Sequence, residues 1–453
     1  MKVLKSRFTN TVTYQIRYIM LYIVIGALLI GAIIAMPTLT GMRLAEAERA
    51  SALLSMNYDL TLVNFPYHLL QGLSIQFLGL TPLAIKLPSI VLGVITATLL
   101  TLLLNRWFKN LAAFTTAALI VSSVAFLGLT SSGTPDILYM LFPVLMLWLG
   151  SQIIDEKPKM ITVAALVVTV AVSLLIPYMV YFNVAMLLLL LSHPHLRFSF
   201  RKIKPVAWVV ALLMVVAVAV PLVFLVDNLD FWALVGPSFY MTQNVTGTWW
   251  QMVGFSEPLS WFALPVSALA LIGVYATIQD YHIARNHTVF VLLVVAILAS
   301  VFFPPLFTIT ILLVTILVGN GLGFLIRVWR GIFPKNVYAT MVGLIPLAAF
   351  CLLVAVGSVS FFHVAPRTIA SVHYSANTDF QLLAENIESD DVLIIGNSVE
   401  FFAKAFPDNA IVDSADVGAA RIIADRPLET SRRLERIVTN SSATASARFF
   451  IYR

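Results

Sequence analysis

Apolar runs of roughly twenty residues, the length that crosses a hydrocarbon core as a helix, recur along this chain with short polar interruptions. They lie near 17–38, 83–104, 110–128, 135–154, 205–226, 260–279, 288–303, 306–325 and 337–361. Residues 160–192 form a longer stretch broken at Ile176-Pro177. One straight helix of that length would overshoot the bilayer, so the pattern predicts two shortened helices turning back at the proline. The pattern therefore predicts an α-helical polytopic membrane protein with about 11 transmembrane helices.

Two places break the rhythm. Residues 40–82, between the first two runs, carry Arg43, Glu46, Glu48, Arg49, Asp59 and His68. Leu44, Ala47 and Leu54 can share one helix face, and Leu69, Leu70, Leu73 and Phe77 recur at helical spacing with His68, Gln71 and Gln76 off that stripe. Such a pattern predicts interfacial helices lying in the membrane surface, the second starting at Pro66. After the last run the grammar changes. Segments 379–387 and 428–438 read as helices, and 391–397, 409–414 and 447–453 as strands, which predicts a small C-terminal α/β domain. The expected division is a transmembrane domain over 1–363, with the outer loop 40–82 as its chemical part, and the small domain over 364–453.

Charge orients this layout. Up to residue 363 there are 19 Lys and Arg against 10 Asp and Glu; from 364 onward the balance is 9 against 12. The basic residues fall at alternate ends of the runs: Lys2, Lys5, Arg7 and Arg17, then Arg106 and Lys109, Lys157 and Lys159, Arg197 to Lys204, Arg285, and Arg327 to Lys335. These loops should be cytoplasmic, which puts the N-terminus inside and the C-terminal domain outside a plasma (inner) membrane. Glu46, Glu48, Asp59 and Asp136 fall on the outer side. Ionisable groups at membrane depth are expensive, so a converging set of them marks a site. Asp136 has a plainer reading as a carboxylate at a helix start, and Lys86 as a side chain snorkelling to the interface.

Composition excludes whole classes of function. The chain has 453 residues, 60% of them hydrophobic and 11% charged, with a mean hydropathy of +0.93. That much apolar surface requires lipid as its solvent. One cysteine, Cys351 inside an apolar run, leaves no disulfide framework and no thiol metal site. There is no basic stripe for nucleic acid and no glycine-rich nucleotide loop.

Several motifs occur in an informative order: LAEAERAS (44–51), FPYHLLQ (65–71), FLGLTPLAIKLPS (77–89), SSGTPDILY (131–139), FFPPLF (302–307) and RVWRGIFPKN (327–336). Over residues 10–360 this order resembles the glycosyltransferases of C-type fold that use polyprenyl-phosphate sugars, the group of the protein O-mannosyltransferases and the lipid A aminoarabinose transferase. Members usually carry an Asp-Glu pair in the first outer loop, where this chain has Ala47-Glu48.

The resemblance implies inverting transfer of a hexosyl or mannosyl-type sugar from a polyprenyl-phosphate donor. The acceptor would be a protein, lipid or glycan on the outer face. Such a reaction needs a carboxylate to take the acceptor proton and a cation to hold the phosphate that leaves. Glu48 is the first candidate for the base, with Glu46 and Asp136 as further catalytic carboxylates. Arg43, Lys86, His68 and Tyr67 are the candidates for phosphate or substrate binding. No cofactor is required, and a divalent cation is an open alternative. The rival readings are a transporter or flippase of a lipid-linked glycan, which should show repeat symmetry and mid-membrane charges, and a non-catalytic scaffold that binds a lipid phosphate.

Overall fold

The structure is a computed structural model. It describes residues 46–56, 63–108, 110–155, 159–201, 203–225, 264–332, most of 345–360, and short stretches between 383 and 453, together with Leu234. The first apolar run, 17–38, lies outside the described residues.

Helices α1 (Glu46–Met56) and α2 (Phe65–Leu78) form the first loop, and α3 (Pro82–Trp107) is the span after it. Thr81 caps α3, its hydroxyl accepting from the Ala84 amide at 3.2 Å, with Pro82 in the first turn. The run 110–128 is not straight. It comprises α4 (Asn110–Val121) and α5 (Val124–Ser131), bent by 56° at a break between them. Ser122 and Ser123 stand in that break, donating to carbonyls of α4, and Ser123 accepts from the Phe126 amide. Two serines thus satisfy backbone groups that a bend would otherwise leave bare in lipid.

The fourth run opens with a tight turn, Pro135–Ile137, and continues as α6 (Leu138–Asp155). The long stretch 160–192 breaks where Pro177 demands, into α7 (Met160–Ser173) and α8 (Met179–Ser192). After α8 the chain turns by 94° into α9 (Pro194–Arg201). The remaining helices are α10 (Pro205–Leu225), α11 (Leu264–Gln279), α12 (Ala284–Phe302) and α13 (Phe307–Ile332). Among the described residues three helices are long and apolar enough to cross a membrane, or up to five spans if each bent pair counts as one; several shorter apolar helices accompany them.

Helix α13 is the most enclosed of those three, with 78% of its most apolar window buried. Its close partner is α11, and the reason is glycine. A Cβ at Gly273 would strike the Leu317 carbonyl, and one at Gly321 the Leu269 carbonyl. Without a hydrophobic drive between helices in lipid, close backbone approach at small residues supplies the packing.

The C-terminal segment holds a five-stranded sheet in the order β2-β1-β3-β5-β4, made of β1 (Val392–Ile394), β2 (Ala410–Ile411), β3 (Ile422–Ala424), β4 (Leu434–Val438) and β5 (Phe449–Tyr452), with α14 (Val399–Ala405) beside it. The first three strands are parallel, while β5 runs antiparallel to both β3 and β4. Two expectations fail here. The segment 428–438 contains an edge strand rather than a helix, because pairing with β5 outweighs local helix preference. The central strand β3 was not foreseen, being only three apolar residues long. Of 379–387, Leu383 and Asn386 are helical, Ile387 follows them outside the helix, and the rest lies outside the described residues.

Replacing Gly321 by Val should push α11 and α13 apart and cost roughly 1–3 kcal/mol, the usual penalty of overpacking. Gly331→Val, where a Cβ would meet nothing within 4 Å, should change little. Thermal unfolding of the two variants in detergent checks this.

Candidate functional site

Helices α1 and α2 are built inside out. On α2 the apolar stripe faces away from the protein: Leu69, Leu70 and Leu73 are each 42% exposed and Phe77 80%. Tyr67, His68 and Gln71 are buried instead. On α1, Glu48, Arg49, Ser51 and Ser55 are buried while Leu54 is exposed. Helices with lipid on one side and polar chemistry on the other suit a membrane surface.

Those polar faces converge on the start of α3 and the turn 131–136. Glu48, 1% exposed, accepts the Gly133 amide on Oε1 at 2.7 Å. The same oxygen lies 3.3 Å from the Lys86 ammonium, itself buried. Only glycine fits at position 133, since a Cβ there would stand 2.8 Å from the Ile85 side chain and 3.4 Å from Glu48 Cβ. The carboxylate, the ammonium and the backbone amide therefore form one enclosed unit across three elements.

Gln71, fully buried, ties the same elements a second time. Its amide nitrogen donates to the carbonyls of Ile85 and Gly133, both at 3.0 Å. Its oxygen accepts from the hydroxyls of Ser51 at 2.9 Å and Ser55 at 2.7 Å. All four hydrogen-bonding positions of the amide are used. The Ser55 hydroxyl also lies 3.1 Å from His68 Nδ1. Burial drives the His68 imidazole down to about 4, with a hydrogen bond to the Ser51 backbone working weakly against it, so His68 is neutral at pH 7.

A second chain of hydrogen bonds leads outward. The Ser89 hydroxyl donates to the Thr134 carbonyl at 3.2 Å, which leaves the Tyr67 hydroxyl as the donor in its 2.8 Å contact with Ser89. Burial raises the Tyr67 hydroxyl far above its ordinary value, opposed by the Ser89 bond, and the carboxylates of Glu48 and Asp136 raise it further. Tyr67 is thus a fixed neutral donor beside two carboxylates. Thr134 donates to Asp136 Oδ2 at 2.7 Å, and Asp136 is only partly buried.

Of the residues singled out in the sequence, Glu48, Lys86, Tyr67, His68 and Asp136 come together here. Arg43 lies outside the described residues, and Glu46 is described only as the first residue of α1. Gln71, Ser51, Ser55, Ser89 and Gly133 were not singled out as site residues. The signal for Gln71 was present: a polar residue in a membrane-surface helix, off the apolar stripe. Gly133 carried no signal beyond its place in a small-residue turn. Among the described residues no group of three or more His, Cys, Asp or Glu side chains could hold a metal ion.

The C-terminal sheet docks on this site. Phe401 and Phe402 of α14, together with Leu393, Phe449 and Ile451, share one apolar cluster with Ala52 of α1 and Ile85 of α3. The Arg49 guanidinium lies 5.4 Å from the centre of the Phe402 ring. The C-terminal sheet therefore packs against the helix that carries Glu48.

The family model for dolichyl-phosphate-mannose-protein mannosyltransferases matches residues 66–224, a stretch that contains α2, the turn 131–136 and Lys86. The fold matches two crystal structures of ArnT from Cupriavidus metallidurans. For the one bound to undecaprenyl phosphate the TM-score is 0.59 at 14% identity, over 96% of this chain and 97% of that chain. For the apo form it is 0.59 at 13% identity, over 97% and 98%. No curated protein matches the chain in sequence. The resemblance to C-type glycosyltransferases thus holds in fold across the chain, and in sequence over residues 66–224.

Three outcomes are expected. Lys86→Met removes the ammonium 3.3 Å from the buried Glu48 carboxylate and should cost about 3–5 kcal/mol, whereas Lys86→Met combined with Glu48→Gln should cost much less, because a neutral pair needs no counter-charge. Chemical unfolding of single and double variants reads the difference. Gln71→Leu, which takes away the amide's hydrogen bonds to the Ile85 and Gly133 carbonyls and to the Ser51 hydroxyl, should cost roughly 2–5 kcal/mol by the same measurement. His68 binds its proton more readily when unfolded, so stability should be complete above pH 6.5 and fall as pH drops from there toward 4, by up to roughly 3 kcal/mol. His68→Gln should flatten that slope in unfolding curves taken across the range.

Proposed function

We propose that this chain transfers a sugar from a polyprenyl-phosphate donor to an acceptor at the outer face of the membrane, with inversion at the sugar. The observation that carries the reading is the buried Glu48–Lys86 pair pinned to the Gly133 amide. It sets a cation and carboxylates at the membrane-surface end of α3, beneath helices whose apolar sides face lipid. A long isoprenoid could lie along that apolar surface while its phosphate reaches the polar one.

The geometry favours a division of labour. Glu48 holds Lys86 at one oxygen, and two ammonium protons of Lys86 remain available for a phosphate. Lys86 would then offset the charge that grows on the leaving phosphate, where a water-poor site makes one cation count for most. Tyr67, fixed as a neutral donor, lines the same side. Asp136 is the more open carboxylate, and we assign it the proton of the acceptor hydroxyl. Glu46 and Arg43 stand as further candidates from the same loop. The small domain, resting on α1, would limit which acceptors approach. The plasma membrane, with the N-terminus inside and the small domain outside, is the setting this reading requires.

The second reading is a non-catalytic binder of lipid phosphates. Ala47 in place of the family's usual Asp, and the enclosed state of Glu48, favour it.

Membranes holding wild type, Asp136→Asn, Glu48→Gln or Lys86→Met, matched in expression, should be given radiolabelled polyprenyl-phosphate sugars. Wild type should transfer label. Asp136→Asn should lose about a hundredfold or more in rate while still binding donor, the usual scale for a lost general base. Lys86→Met and Glu48→Gln should weaken donor binding as well as transfer. Donor bound by wild type without transfer of any sugar would establish the second reading; full transfer by Asp136→Asn would remove Asp136 from the chemistry.

A further inference from the structure

The start of α2 departs from the usual pattern of a helix cap. An Asn at this position ordinarily keeps an extended backbone and accepts one of the first helical amides on its side chain. Asn64 does neither. It takes the left-handed conformation, φ 55° and ψ 25°, and its side chain makes no cap bond. Its backbone carbonyl accepts the Tyr67 and His68 amides instead, at 2.9 and 3.1 Å. The side chain is nevertheless enclosed: Asn64 is 9% exposed, and its side-chain oxygen is buried without a hydrogen-bond partner among the described residues. A buried acceptor left unmatched costs stability, so a hydrogen-bond donor on a ligand is its natural complement.

The neighbours of Asn64 lead back to the polar site from two directions. Its carbonyl holds the turn that carries Tyr67, and Tyr67 lies within electrostatic reach of Glu48 and Asp136. Its amide donates to the Leu175 carbonyl at 2.8 Å, in the break between α7 and α8. That break ends at Tyr178, the other non-glycine residue with a left-handed backbone among the described residues, at φ 63°. For a bulky side chain such a conformation is an outlier, and outliers of this kind collect where ligands bind. The Tyr178 ring stacks on Phe303, just past α12, with centres 4.9 Å apart, and Tyr181 stacks on the same ring at 4.4 Å. All three rings are half-buried. Tyr139, near the start of α6, is within electrostatic reach of both Asp136 and Tyr178. An orphaned acceptor and an aromatic wall therefore flank the Asp136 side of the site.

We propose that Asn64 is a specificity-determining residue for the sugar of the donor. Its side-chain oxygen accepts a hydrogen bond from a hydroxyl or amino group on the sugar ring, whose C–H face rests against Tyr178. The inference rests on the reading that a polyprenyl-phosphate sugar is the ligand. Three parts of that ligand compete for the position, and their chemistry separates them. The isoprenoid has no polar hydrogen to give. The phosphate presents acceptor oxygens, which a carbonyl oxygen repels. The sugar carries donors around its rim and C–H bonds on its faces, and so matches an acceptor beside an aromatic wall. A site built to bond a substrate hydroxyl rejects a ligand that lacks it, because the buried protein group is then left unpaired.

The full chain, purified in detergent, can be titrated with undecaprenyl phosphate and with its mannosyl, glucosyl and aminoarabinosyl derivatives, affinity being read from ligand-induced thermal stabilisation. Wild type should bind at least one sugar-bearing lipid about tenfold tighter than undecaprenyl phosphate itself, the worth of one well-placed hydrogen bond. Asn64→Gly removes the acceptor, and glycine takes the left-handed backbone without strain. The free variant should unfold no earlier than wild type and bind undecaprenyl phosphate equally well, yet lose the preference for the sugar. Asn64→Asp retains an acceptor and should retain the preference. A loss confined to the aminoarabinosyl lipid assigns the contact to an amino group, and a loss with the mannosyl or glucosyl lipid assigns it to a hydroxyl. Equal affinity of wild type for all four lipids overturns the inference, as does a sugar preference that survives Asn64→Gly. So does earlier unfolding of free Asn64→Gly with equal weakening toward every lipid, the mark of a purely structural residue. Sugar-selective binding that Asn64→Gly abolishes, with no transfer by wild-type membranes, would uphold the inference and refute the transfer reading alone.

Discussion

Two opposite charges removed from water set the terms for the end of the bundle where α1 and α2 lie. A buried carboxylate and a buried ammonium each forfeit several kcal/mol of hydration, and only close mutual contact plus further hydrogen bonds makes that tolerable. Glu48 comes from α1 and Lys86 from the first turns of α3, so the pair can exist only if α1 is pressed against that helix. The Gly133 amide donates to the same carboxylate and brings in the turn before α6. Gln71 closes the same triangle through neutral groups. Because each partner comes from a different element, none can drift without leaving a buried polar group unmatched.

The small C-terminal sheet acquires its meaning from this arrangement. Its apolar core continues into Ala52 and Ile85, so one face of α1 carries charged chemistry and another packs on the C-terminal sheet. The result is a loop held from both sides, in contrast to the free hinge that an exposed 40-residue connection would otherwise be.

Much of the fold was legible because the bilayer is a simple solvent. Its thickness sets helix length and its lack of water forbids bare backbone, so the apolar runs near 83–104 and 135–154 became α3 and the span Pro135–Ile154 almost residue for residue. Pro177 fell in the break between α7 and α8 for the same reason. The tail was harder, since its strands are two to five residues long and their identity depends on the partner. Leu434–Val438 has enough helical character to mislead, and only the edge of β5 makes it a strand.

The site divides along the same line. The sequence determined by itself that Glu48, Lys86, His68, Tyr67 and Asp136 belong to one end of a membrane bundle, because residue type, span length and loop charge all act locally. Tertiary structure alone decided that Lys86 pairs with Glu48 instead of snorkelling, that Gln71 is the node of the network, and that position 133 admits no side chain. Those facts depend on distances between segments up to 85 residues apart in the chain, and no local pattern encodes how closely two such segments approach.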